Sequence, residues 1–134
     1  MRDILFRGKR LDNGEWVYGF YCHVPRGRLD RDEHMIQTVK KSGKMGMLHC
    51  VDPSTVGQYT GLMDKNGERI FEGDVLTVDG EDGFFALEFQ EDTARFVMSG
   101  DSIVVDFDNF WSYEVEVMGN IHDNTEILWG DIDE

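Results

Sequence analysis

An all-β fold is predicted by three features of this 134-residue chain. Nine Phe, four Tyr and three Trp stand beside many valines and only two prolines, and aromatic and β-branched side chains suit a pleated, half-buried surface. Apolar and polar residues alternate along several runs, the period of a strand. Turn-forming pairs such as Asn13-Gly14 and Asn66-Gly67 separate those runs, and fifteen glycines are available for others. The length suits one domain or two very small ones. Such a chain buries somewhat over ~60% of its unfolded surface and needs neither metal nor disulfide to stand.

The elements follow in order. Ile4–Arg10 and Glu15–Val24 read as strands joined at Asp12-Asn13-Gly14, because Asn-Gly accepts the positive φ of a tight hairpin turn. Trp16, Tyr18 and Phe20 share a face of the second strand, and a covering layer is expected over them. The polar stretch from Pro25 to Glu33 reads as a loop. Met35–Val39 and Met45–Val51 are strands around the turn Lys40-Lys41-Ser42-Gly43-Lys44. In the second of these, either Met47/His49/Val51 or Leu48/Cys50 can face inward.

The segment Asp52–Val78 organises the rest: a strand, a hairpin at Asn66-Gly67, a second strand, a sharp break at Glu72-Gly73-Asp74, and a buried strand Val75–Val78. After a turn at residues 79–83, Phe85, Leu87 and Phe89 alternate with polar or small residues, as do Phe96 and Met98. Ile103, Val105 and Phe107 follow. Trp111, Tyr113, Val115 and Val117 then line one side of a strand from Trp111 to Met118. Short strands with short turns, beginning near Arg69, predict a small closed barrel or sandwich. Asn124 can cap a helical turn through Thr125–Leu128, with Glu126 in the favourable first turn. Domain boundaries are expected at 1–60 and 61–134.

The formal charge is -14, unevenly spread. Residues 1–60 carry ten Lys+Arg against seven Asp+Glu, whereas residues 61–134 carry three against twenty. A half with net charge -17 disfavours a phosphate backbone and favours solubility or a basic partner. Cys22 and Cys50 show no disulfide framework spacing. No signal peptide is read at the start, where Arg2 and Asp3 precede only three apolar residues, and no apolar run approaches the ~20 residues of a membrane span. A reducing cytoplasm is expected, with two buried free thiols.

Three blocks carry a family resemblance: ILFRGKRLDNGEWVYG from Ile4 to Gly19, DPSTVGQYTGLMDKNGERIFEGDVL from Asp52 to Leu76, and VMGNIHDNTEIL from Val117 to Leu128. In this order and spacing, over about two-fifths of the chain, the sequence resembles the YopX family, small proteins typically encoded by phages and prophages. The resemblance implies a largely β architecture with an SH3-like barrel around and after the GDVL strand. The N-terminal hairpin and strand region is expected to pack on that barrel. Where relatives often have proline this chain has Thr125, which agrees with a helix start there. The resemblance implies no catalytic residue. Gly57, Gly61, Gly67 and Gly73, Asn66, Tyr59 and Phe71 read as turn and core residues. Residues 25–50 and 80–110 lie outside the motifs.

Sites for chemistry are sparse. Cys22, His23, His49 and Cys50 offer a zinc-type donor set, but strand neighbours point to opposite faces and the Cys-x-x-Cys loop is missing. Asp79, Glu81 and Asp82, or Asp106, Asp108 and Asn109, offer oxygens to calcium without the spacing of an EF-hand. They read as solvated turns and edges. His122 beside Asp123 is an acid–base pair in composition only, because no nucleophile or catalytic motif accompanies it. No cofactor, metal or catalytic residue is therefore expected.

The function expected is a non-enzymatic protein-binding module, with Tyr18, Tyr21 and Trp111 lining a groove if the core does not consume them. One alternative is an acidic nucleic-acid mimic that occupies a basic host protein. Another is nucleic-acid binding through the basic half, with Arg26, Arg28, Arg31, Lys40, Lys41 and Lys44. Self-association through the N-terminal hairpin edge is also expected to be accessible.

Overall fold

The structure, a computed structural model, describes residues 3–26, 30–101, 103–108 and 113–124. The chain divides into two compact units, Met1–Tyr59 and Thr60–Glu134. Both are antiparallel β, with eleven strands and no α-helix among the described residues.

The first unit holds β1 (Phe6–Lys9), β2 (Trp16–Val24), β3 (Glu33–Val39) and β4 (Met45–Cys50), in the order β4-β3-β2-β1. The leading residues of β5 (Gly57–Met63) pair with β1, Phe6 opposite Gln58 and Arg7 opposite Gly57. The β1–β2 turn forms as its sequence predicts. The Arg10 N–H donates to the Glu15 carbonyl at 2.9 Å, the Asn13 side chain accepts from the Glu15 N–H, and Gly14 takes φ +73. Past β4, Asp52 caps a short 3-10 turn (Pro53–Thr55) by accepting from the Ser54 N–H at 3.0 Å. The Thr55 hydroxyl in turn accepts from the Lys9 N–H at 2.9 Å, fastening that turn to β1.

Strand β2 changes partner along its length. Trp16–Gly19 lie opposite β1, and Phe20–Val24 lie opposite β3. The change falls at Gly19, where a Cβ would stand 2.0 Å from the Gln37 carbonyl oxygen. Only glycine admits so close an approach of two backbones.

Ile36, Val51 and Tyr59 are buried in this unit. The cover expected over the β2 aromatics is not found among the described residues: Trp16 is half-buried beneath Arg7 and Lys9, while Tyr18 and Phe20 are exposed. The alternation located the face correctly but carried no information on what lies over it.

The second unit begins with the remainder of β5, which turns at residues 64–68 into β6 (Arg69–Phe71). Strands β7 (Asp74–Val78), β8 (Phe85–Gln90), β9 (Arg95–Ser99), β10 (Val104–Asp106) and β11 (Val115–Asn120) form one sheet in the order β10-β9-β8-β7-β11. Ile70, Leu76, Val78, Phe85, Leu87, Met98, Phe107 and Val115 make its core. The break before β7 is real: Gly73 takes φ +93, and the buried Asp74 accepts from the Phe71 N–H at 2.7 Å. Strands β10 and β11 end the order without pairing to each other, so the sheet is open among the described residues. The all-β prediction holds, while the closed SH3-like barrel is not confirmed.

Two strand predictions in this unit need correction. The last strand starts at Val115, because its register with β7 begins at the pair Val115–Val78. Tyr113 precedes it in a turn and is 72% exposed. Ile103 is exposed, whereas Phe107 is buried as expected. Trp111 and the helical turn placed at Thr125–Leu128 lie outside the described residues.

Asp64 knits this unit together. Its Oδ1 accepts from the Asn66 and Glu68 N–H groups at 2.8 and 2.9 Å, and its Oδ2 accepts from the Val117 N–H of β11 at 2.9 Å. Beside it, Lys65 Nζ lies 2.8 Å from Asp79 Oδ1 and 3.9 Å from Glu116 Oε1. The hydrogen bond to Asp79 raises the Lys65 pKa above that of an ordinary lysine. A raised pKa adds stability that is complete below the unfolded value, about 10.4, and is lost as the pH climbs through the folded one. Lys65→Gln is therefore expected to reduce stability slightly at neutral pH and not at all at strongly alkaline pH. Urea unfolding across that range checks it; an equal difference at both ends would refute the assignment.

Candidate functional site

Two features of the first unit concentrate chemistry, on opposite faces of the same three strands. Directly opposed residues of an antiparallel ladder share a face. The register sets Phe20 opposite Gln37 and Gln37 opposite Leu48, and likewise Cys22 opposite Met35 and Met35 opposite Cys50. Val24, Val39 and Met45 extend this face. It is open to solvent: Phe20 is 52% exposed, Leu48 48% and Met45 56%, and both cysteines are exposed. The thiols expected to be buried thus stand on the solvent side. Strand β4 ends the sheet order of this unit, and Met47 on it is also exposed. Lys40, Lys41 and Lys44 lie exposed on the β3–β4 turn beside it.

The opposite face brings His23 and His34 together as a cross-strand pair. Their rings stack 4.3 Å apart with 8° between planes. Asp32, just before β3, places Oδ2 3.2 Å from His23 Nε2 and accepts from the Arg26 N–H through Oδ1. The His23 hydrogen bond, then the backbone one, hold the Asp32 carboxyl below its usual pKa. The Tyr21 hydroxyl makes a 2.5 Å hydrogen bond with His34 Nδ1, and partial burial raises its pKa. Asp32 and His34 line an open groove of about 720 Å³ with Leu11, Arg31, Val51 and Pro53.

The residues singled out from sequence are placed as follows. Tyr18 is exposed, Tyr21 belongs to the histidine cluster, and Arg26, at φ +56, pairs with Asp30 at 3.7 Å. Trp111 and Arg28 lie outside the described residues. Cys22 and Cys50 face away from His23, and His49 pairs with Ile36, so the four do not assemble. Asp79 engages Lys65, and Asp106 engages Arg95 at 3.2 Å. Among the described residues only His23, Asp32 and His34 form a metal-capable cluster. His122 sits in a turn where its N–H donates to Asn120 Oδ1 at 2.9 Å. Sequence reasoning missed the pairing of His23 with His34 because the loop between their strands does not announce its register.

These features define a two-unit antiparallel β protein with an open apolar face. The chain belongs to the YopX family: the family described as YopX protein matches residues 5–129. The fold is similar to that of the crystal structure of protein EF1440 from Enterococcus faecalis, at 21% identity and a TM-score of 0.61, over 96% of this chain and 99% of that one. The comparison with curated proteins gives no match. No helix among the described residues is long and apolar enough to cross a membrane.

Proposed function

We propose that this YopX-family chain is a non-enzymatic, protein-binding accessory protein, phage- or prophage-encoded and acting in the bacterial cytoplasm. The observation that carries this reading is the open face of β2, β3 and β4. Phe20, Val39, Leu48 and Met45 are exposed apolar side chains grouped around Gln37, the last two on the edge strand β4, and exposed apolar surface of this kind marks association sites. A strand edge invites a partner's backbone while the face supplies side-chain pockets. The lysines of the β3–β4 turn favour a partner whose apolar segment is flanked by carboxylates.

The test is capture of bacterial proteins by the full chain, with and without nuclease and at low and high salt. A specific protein retained under all conditions is expected, because apolar contacts are little screened. The double substitution Phe20→Thr, Leu48→Thr keeps strand propensity and is expected to weaken that capture about tenfold, or ~1.4 kcal/mol. Retention of the same protein by the variant would refute this face as the site. Nucleic acid alone, lost on nuclease treatment, would shift the reading to the basic half.

A second reading draws on charge. Glu81, Asp82, Glu88, Glu91, Asp92 and Asp101 are all exposed in the second unit. That surface suits a mimic of a nucleic-acid backbone, and competition by DNA for the captured protein distinguishes it.

A further inference from the structure

We infer that His23, Asp32 and His34 form a binding site for a divalent transition metal of the zinc class. One donor atom from each of the three lies within 4.8 Å of the others. Two imidazoles and one carboxylate suit zinc, nickel or cobalt better than magnesium or calcium, which prefer oxygen alone. Three protein ligands leave a fourth position open, the pattern of zinc sites that also hold water or a partner's side chain.

The geometry decides how far the site is built. With zinc–nitrogen and zinc–oxygen bonds near 2.0–2.1 Å, donor atoms at tetrahedral angles stand about 3.3 Å apart. The His23 Nε2–Asp32 Oδ2 separation of 3.2 Å is a hydrogen bond, whose proton the ion would replace. The remaining adjustment concerns the histidine stack. An ion must lie in the plane of each ring it binds, and two parallel rings 4.3 Å apart do not share a plane. Loading the site requires one ring to turn out of the stack. His23, with a side chain 41% exposed, has the room, whereas His34 is held by Tyr21. In the loaded site His34 Nδ1–H would donate to the Tyr21 oxygen, which leaves the Nε2 lone pair to the ion, as in other metal-bound histidines with an outer partner.

Zinc titrated into the full, tag-free chain is expected to bind as one saturable equivalent by calorimetry, and cobalt to give the visible absorption of a low-coordinate site. His23→Gln and His34→Gln should each weaken binding at least ~10-fold, and Tyr21→Phe by about tenfold, acting through the orientation of His34. His49→Gln, elsewhere on the sheet, should leave it unchanged. Circular dichroism of each apo variant separates loss of ligand from loss of fold. Absence of saturable zinc binding in the native chain would overturn the site. So would binding that His23→Gln and His34→Gln both leave intact, which would place the metal elsewhere on the chain.

Discussion

Alanine at Gly19 is expected to destabilise the first unit by roughly 3 kcal/mol or more, well above the usual cost of glycine replacement. The added Cβ would lie 2.0 Å from the Gln37 carbonyl oxygen and 2.8 Å from its carbon. Both are backbone atoms inside a ladder, so no side chain can swing aside to make room. Relief requires β2 and β3 to separate where Phe20 opposes Gln37, and overpacking that moves backbone costs about 1–3 kcal/mol or more. Gly14 is the control. It has φ +73 and nothing within 4 Å of its Cβ position, so Gly14→Ala should cost only about 1–2 kcal/mol, the left-handed backbone penalty. Urea unfolding of the two variants, with amide exchange read in β2 and β3, gives the comparison. Equal costs would mean that the two strands do not approach as described.

Loss of the Asp64 carboxylate should be comparably damaging to the second unit. Asp64 is 6% exposed and accepts three backbone hydrogen bonds, two in its own turn and one from β11. Hydrogen bonds to a charged group contribute about 1.5–3 kcal/mol each, and a stranded buried donor adds its desolvation cost. Allowing for non-additivity, Asp64→Ala is expected to cost roughly 4 kcal/mol, a large part of the ~5–15 kcal/mol that holds a domain folded. Asp64→Asn keeps an acceptor for the turn but presents an amide to one of the donors, so about half that loss is expected. Amide exchange at Glu68 and Val117 reads the two ends of the bridge separately. The substitution to asparagine should accelerate Val117 more than Glu68 if the side chain keeps its oxygen toward the turn. A change below about 1 kcal/mol in Asp64→Ala would refute the bridging role.

The two residues also mark where sequence reading succeeds and where it stops. Local chemistry was legible: Asn13-Gly14 turned the first hairpin, Gly73 broke the chain before β7, and the alternation of Phe85 and Leu87 found a core strand. What depended on pairing at a distance was not. Gly19 carried no turn signal, yet it is where β2 leaves one partner for another. The openness of the second sheet depends on which strands end it, and alternation within a strand says nothing about its neighbours. The same limit hid the histidine cluster. Period two placed Cys22 and His23 on opposite faces, but it could not say that His34 would be the residue facing His23. Nor could alternation decide burial, since Tyr18 and Phe20 make a sensible inward face and are exposed.

Cys22 and Cys50 flank Met35 on the exposed face, with a whole strand between them. Strands sit about 4.7–4.9 Å apart, so the two α-carbons are separated by roughly 9–10 Å, beyond the ~7 Å a disulfide can span. Oxidation therefore cannot staple this sheet to itself. Any bond either sulfur makes to another thiol, with the strands in place, must leave the molecule, so an oxidising environment would convert a solitary chain into covalent multimers joined through the surface proposed for a partner.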